Sequence, residues 1–139
     1  MISSTGSSGL TVLMVENEED TACLLEFVLQ KNGYRVIHSY NGDHAKRLMS
    51  AMEAPDAALL DMALPDMSGL DLLAYLRTQE QWRNTPVAML TTSADSLDPR
   101  QAARLGIHDS ILKPVSPTRL ATRLNRLLTD SRKKRPRVA

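Results

Sequence analysis

Short apolar runs alternate with longer stretches of helical spacing along most of the chain. The runs cover 10–15, 35–39, 57–61, 87–91 and 110–112. The first, third and fourth are almost unbroken aliphatic stretches, the pattern of strands buried on both faces. Between and after them, apolar residues recur at three- and four-residue intervals. The stretch 20–31 carries Cys23, Leu24, Phe27 and Val28 and stops at Asn32-Gly33, a common helix end. The stretch 43–52 carries Ala45, Leu48, Met49 and Met52. The stretch 68–79 carries Leu70, Leu73 and Leu76 behind a Pro-Asp-Met-Ser-Gly turn signal. A short helix is predicted over 99–105. The clearest stripe, Leu120, Leu124, Leu127 and Leu128, predicts another over 117–128. Strand then helix, five times over, predicts an open parallel sheet with helices on both faces.

Such a sheet places its ligands beyond the carboxyl ends of its strands. The residues found there are Glu16-Asn17, Asp61, Thr91-Thr92 and Lys113-Pro114. They predict a pocket with acidic groups on two strands, a hydroxyl beside them and an ammonium opposite. Two carboxylates about 4 Å apart repel by roughly 4 kcal/mol at an effective dielectric near 20. They ionise together only beside a cation. Hard oxygen donors at this density suit Mg²⁺, which bridges carboxylates to a phosphoryl group. Asp61 then suits a nucleophile that forms an acyl phosphate. Lys113 and the Thr91 hydroxyl suit phosphoryl oxygens, and in-line transfer needs little beyond positioning and charge neutralisation.

Composition narrows the class. The 139 residues are 42% hydrophobic, enough for one domain with its own core. The single cysteine allows no internal disulfide, which fits a reducing, cytoplasmic setting. No apolar run approaches the roughly 20 residues of a membrane span. The segment 1–9 lacks the basic and apolar regions of a secretory signal and is expected to be a flexible Ser/Gly-rich leader. The formal charge of +1 hides an asymmetry. The last nine residues hold five basic groups; without them 12 basic residues face 16 acidic ones, a balance of −4. An acidic body does not suit nucleic acid. The basic segment 130–139 reads as a disordered tail or a linker, with a nucleic-acid contact and an acidic membrane surface as the alternatives.

The stretches VLMVENEED (12–20), PDAALLDMALPDMSGLDLL (55–73), PVAMLTTSA (86–94) and ILKPVSP (111–117) together resemble the receiver domain of two-component response regulators. Asp61 lies 45 residues after Glu16, Thr91 30 after Asp61, and Lys113 52 after Asp61, which is similar to the usual receiver layout. The resemblance covers 10–129. It implies a flavodoxin-like (βα)₅ fold with strand order 2-1-3-4-5. It implies that Asp61 is the phosphoacceptor, with Mg²⁺ held by Glu16, Asn17, Asp61 and the Ala63 backbone carbonyl. Thr91 would be the switch hydroxyl, and Lys113, followed by a Pro114 whose bond is often cis in the family, the phosphate-pairing lysine. The donor would be a sensor histidine kinase or a histidine phosphotransfer protein. Such a domain is no enzyme beyond its own phosphorylation and dephosphorylation. Its output would pass to a downstream protein, a separate output domain, or a homodimer formed through the last two helices.

Three positions depart from the family pattern. Asn17 stands where a second carboxylate is usual; an amide oxygen can ligate Mg²⁺ but brings no net charge, so metal binding is expected to be weaker. Ser110 stands where a Tyr or Phe is usual, so coupling between Thr91 and a rotating aromatic cannot operate in the usual way. Ala63 offers hydrolytic water no side-chain hydrogen bond, which predicts a long-lived phosphoryl group. Asn17 and Ser110 favour a second reading, a pseudo-receiver that works by constitutive contacts. A third, an Mg²⁺-dependent phosphohydrolase, would need an acid at position 63.

Other residues read more plainly. Glu18, Glu19 and Asp20 are the acidic start of a helix, and Asp66 and Asp71 are loop acids. His38, His44 and His108 have no metal-ligand spacing. Cys23 and the methionines are read as core, and Trp82 as a loop anchor. Arg100, Arg104, Arg119, Arg123 and Arg126 on the last two helices are either a partner surface or a solvated face.

Overall fold

The computed structural model describes residues 9–93 and 97–134. The leader through residue 8, position 94 of the predicted switch loop and the basic residues beyond 134 lie outside them. The order is β1 (Thr11–Val15), α1 (Glu19–Lys31), β2 (Arg35–Ser39), α2 (Gly42–Ala51), β3 (Ala57–Asp61), α3 (Gly69–Thr78), β4 (Val87–Thr91), α4 (Pro99–Leu105), β5 (Asp109–Leu112) and α5 (Pro117–Lys134). The five strands form one parallel sheet in the order β2-β1-β3-β4-β5. Both the fold class and the strand order match the expectation. α5 runs six residues past 128, into the segment expected to be a tail.

Period-2 alternation on the central strands sorts the core into two layers. Val12, Met14, Leu59, Ala88, Leu90 and Ile111 face α1 and α5. Leu13, Val15, Ala58, Leu60, Val87 and Met89 face α2 and α3. Both β3 and β4 are buried at all five positions, as their unbroken apolar runs predict. Trp82 sits in a 3₁₀ turn (Glu80–Trp82) and is 1% exposed, the anchor expected of it.

One helix face differs from the expectation. The buried residues of α1 are Ala22, Leu25, Val28 and Leu29. Cys23 is exposed rather than core, and Leu24 and Phe27 are 41% and 62% exposed. Two overlapping apolar stripes run along this helix. The sheet takes the one containing Ala22, whose small side chain gives the weaker sequence signal and the closer approach. Phe27 instead packs under the Lys31 ammonium, 5.7 Å from the ring centre.

α4 has no buried residue. Arg77, at the end of α3, ties it down. The guanidinium donates to the carbonyls of Leu105 (2.8 Å) and Gly106 (2.9 Å) at the end of α4, and to Arg83 (2.9 Å) and Thr85 (2.7 Å) before β4. Burial pulls its pKa down. Only the planar five-donor fork of arginine spans two chain segments in this way.

Candidate functional site

The carboxyl ends of β1, β3 and β4 and the start of the β5–α5 connection converge on an open cleft of about 400 Å³. It is lined by Glu16, Asn17, Glu18, Asp61, Met62, Ala63, Thr91, Thr92 and Lys113. All six residues singled out from the sequence are therefore brought together.

Glu16 is 0% exposed and is held at its backbone and at one carboxylate oxygen. Its backbone N–H donates to the Ser39 carbonyl (3.0 Å), and its Oε2 accepts from the Glu18 N–H (3.0 Å). Lys113 Nζ lies 2.9 Å from Glu16 Oε1, 3.2 Å from Oε2 and 2.9 Å from Asp61 Oδ2. One ammonium thus bridges both carboxylates. Burial raises the Glu16 pKa, against the Glu18 N–H and Lys113, which lower it. For Lys113, burial pulls the ammonium down, but its hydrogen bonds to Asp61 and Glu16 outweigh that and hold its pKa above the usual lysine value. Asp61 is 4% exposed, and its Oδ1 accepts from the Ala63 N–H at 3.0 Å. The Thr91 hydroxyl donates to the Ser93 carbonyl (2.8 Å) and accepts from the Ser93 N–H (3.2 Å). The Lys113–Pro114 bond is cis.

The donor set fits a divalent cation. Although Glu16 Oε1 lies close to Nζ, it receives no well-directed hydrogen bond, and it is the one buried carboxylate oxygen among the described residues left in that state. A buried carboxylate oxygen without a directed donor is an open position for a further cation. Asn17 reaches the same cleft but is exposed. Among the described residues no group of three acids, histidines or cysteines is placed to hold a metal, so an amide or backbone oxygen would have to complete the donor set. The ionisable groups lining the cleft, Glu16, Glu18, Asp61 and Lys113, sum to −2.

The loop after Asp61 is fixed by residues that the sequence marks only as turn formers. Asp66 is not a free loop acid. Its Oδ1 accepts from the Gly42 N–H (2.9 Å) and its Oδ2 from the Asp43 N–H (2.8 Å), so it caps α2 from another segment. Asp71 forms a capping box with Ser68 at the start of α3. An Ala63–Ser68 bridge closes the loop between them. His38 likewise escapes sequence reasoning; its Nε2 sits 3.0 Å from the Glu16 carbonyl. No local spacing marks that contact, which crosses from β2 to the end of β1. Arg123 is not a free surface arginine. It pairs with Asp109 (3.0 Å) and donates to the Ser110 carbonyl (2.8 Å).

The Asp66 cap has a pH signature. The Gly42 N–H, foremost, holds the Asp66 carboxyl below the usual aspartate range, with the Asp43 N–H adding to it against a small desolvation. A depressed folded-state pKa contributes stability that is fully present above the unfolded value, near pH 4, and is lost as pH falls through the folded one. Asp66→Asn is therefore expected to lower the thermal midpoint by a constant amount from about pH 7 to 5, with the gap narrowing below about pH 4. A gap that widens in acid would contradict the capping role.

Comparison with known proteins gives one family. The family model described as "Response regulator receiver domain" matches residues 12–125. The chain is similar to the alkaline phosphatase synthesis transcriptional regulatory protein PhoP of Bacillus subtilis, 32% identical over 86% of this chain and 49% of that protein. It is 37% identical to the transcriptional regulatory protein KdpE of Mycobacterium tuberculosis over 81% of this chain and 48% of that one. It thus spans about half the length of these curated relatives. Among solved structures it resembles the receiver domain of a sensor histidine kinase from Pseudomonas aeruginosa PAO1, described with a magnesium ion in its active-site cleft. That match has 30% identity and a TM-score of 0.78, covering 88% of this chain and 99% of that one. A response regulator structure from Chloroflexus aurantiacus gives 29% identity and a TM-score of 0.78, covering 86% and 98%. No helix among the described residues is long and apolar enough to cross a membrane.

Proposed function

Because the chain belongs to the response regulator receiver family, a family of signalling domains rather than conventional enzymes, we propose that it is a cytoplasmic phosphoacceptor module switched at Asp61. The observation that carries this is the Lys113 bridge: one ammonium, 2.9 Å from each of two buried carboxylates, at the mouth of an open cleft. A lone structural ion pair would need only one acid. Two acids sharing one ammonium form a site that gains from a further cation and an anionic group.

Glu16, Asn17, Asp61 and the Ala63 carbonyl would hold Mg²⁺, which supplies charge neutralisation for an incoming phosphoryl group. The donor is a phosphohistidine of a sensor kinase or a phosphotransfer protein. A P–O bond forms to Asp61 as the P–N bond to the donor imidazole breaks. Lys113 takes a phosphoryl oxygen, and the Thr91 hydroxyl turns from Ser93 to take another. Phosphorylation adds about −1.5 to −2 charge. Reorienting Thr91 would release its turn with Ser93 and pass the change towards α4. The readout is an altered contact with a downstream protein, an output domain or a second copy through α4 and α5.

The test is intact-mass measurement after incubation with Mg²⁺ and a small acyl phosphate or a kinase. Gain of one phosphoryl group is expected. No gain from any donor would leave the pseudo-receiver reading, which the missing charge at Asn17 favours. Repeated turnover on unrelated phosphate esters would make the protein a phosphohydrolase instead.

Asn17 sets the strength of the metal site. Asn17→Asp takes the cleft from −2 to −3. It is expected to tighten Mg²⁺ binding at least about tenfold, or about 1.4 kcal/mol, as read by NMR titration. Equal affinities for the two proteins would show that the amide costs the site nothing.

A further inference from the structure

The ladder between β1 and β2 ends with Val15 opposite Ser39. One residue on, the chain of β1 enters the cleft. The Glu16 N–H still finds the Ser39 carbonyl, but the Glu16 carbonyl takes its hydrogen bond from a side chain, His38 Nε2 at 3.0 Å. A carbonyl only accepts, so Nε2 carries the proton. The ring is held in turn by Tyr40, with centroids 4.0 Å apart at 53°. His38 is half-buried and lines no part of the cleft.

That carbonyl belongs to the peptide joining Glu16 to Asn17. Fixing its plane fixes the direction in which the chain leaves Glu16, and with it the root of the Asn17 side chain. Glu16 needs no such help. Its carboxylate is already tied to the Glu18 N–H and Lys113. Asn17 is exposed, carries no charge, and is the member of the proposed metal set whose contribution depends most on where its oxygen points. Mg²⁺ demands near-octahedral geometry. Groups that orient a ligand from behind commonly change metal affinity 10- to 100-fold.

Resting on the receiver reading above, we infer that His38 is a positioning residue for Asn17: its hydrogen bond to the Glu16 carbonyl orients the amide that stands in for a carboxylate in the cation site. The substitution at position 17 and the histidine at position 38 then work as a pair.

The test is a double-mutant cycle read by Mg²⁺ titration of backbone NMR signals. His38→Leu is expected to weaken Mg²⁺ binding about tenfold. His38→Gln places an N–H where Nε2 was and is expected to stay within about threefold of the parent. In an Asn17→Ala background His38→Leu should change the affinity less than about twofold, since the group it orients is gone. Without metal, His38→Leu should shift the Asn17 backbone amide signal while that of Gly69 stays in place, which also reports an intact fold. Full Mg²⁺ affinity in His38→Leu overturns the inference. So does a tenfold loss that persists in the Asn17→Ala background, which would place the effect on Glu16 or on the fold. If the parent binds no Mg²⁺ and takes no phosphoryl group, the receiver reading falls and this inference with it. If the parent does both, a silent His38→Leu overturns this inference alone.

Discussion

Asp61→Asn is expected to abolish phosphoryl uptake, with the intact mass unchanged by Mg²⁺ and any donor, while the fold survives. The substitution keeps shape and volume. The Asn oxygen can still accept from the Ala63 N–H, now 3.0 Å from Oδ1. Lys113 is not stranded, because Glu16 remains 2.9 Å away. Removing one of the two carboxylates that share Lys113 removes their mutual repulsion together with one attraction to the ammonium, so the two changes offset. The thermal midpoint should therefore hold, whereas loss of a buried partner usually costs about 3–5 kcal/mol. Uptake is lost while stability holds, which separates a lost nucleophile from a lost fold. Glu16 cannot substitute as acceptor. It is 0% exposed, with Lys113 across its face. A mutant that still gains one phosphoryl group would place the acceptor elsewhere and end the assignment of Asp61.

The parts of this site that are legible in the sequence share a physical cause. β3 and β4 are buried on both faces, so their runs are unbroken, and the residue that ends each run must sit at the sheet's edge. That logic alone puts Asp61 and Thr91 at the mouth of the cleft. Glu16 and Lys113 follow from the order of the remaining strands. What escapes are the contacts between segments that no strand end or motif marks. Asp66 looks like a turn residue because its role is to cap a helix that begins 24 positions earlier. His38 looks like an ordinary strand residue because its partner is a backbone carbonyl across the sheet. Cys23 is misplaced for a different reason: α1 offers two apolar stripes, and only the packed sheet decides between them. The apolar stripe of α5 stops at Leu128 and so sets its end too early, whereas a helix continues until something breaks it.

Gly69→Ala is expected to cost about 3 kcal/mol of stability and to displace the acceptor. At a typical helix position the change would help, since alanine exceeds glycine by about 1 kcal/mol in helix propensity. Nor is the glycine needed for its backbone angle; the positive-φ glycines of the described residues are Gly9, Gly33 and Gly106. What decides is space. A Cβ at Gly69 would lie 2.3 Å from the Asp61 carbonyl oxygen and 2.7 Å from Met89 Cε. The Gly69 N–H is fixed meanwhile on the Met62 carbonyl at 2.8 Å. Relief requires α3 to back away or the Asp61 peptide to turn, and neither is a flexible side-chain end. Overpacking of this kind costs about 1–3 kcal/mol in an ordinary core and more against backbone. Gly42 supplies the contrast. The three atoms nearest a Cβ there all belong to the Met67 side chain, its sulfur at 2.4 Å, and a thioether can swing aside. Gly42→Ala should therefore lose much less. The net loss at Gly69 corresponds to a midpoint lowered by roughly 10 °C in a domain of this size. Phosphoryl uptake should fall further than the folded fraction does, because turning the Asp61 peptide moves the carboxylate off Lys113 and Ala63. Equal midpoints for the two alanine variants would mean that the close approach of α3 to the end of β3 does not hold the acceptor in place.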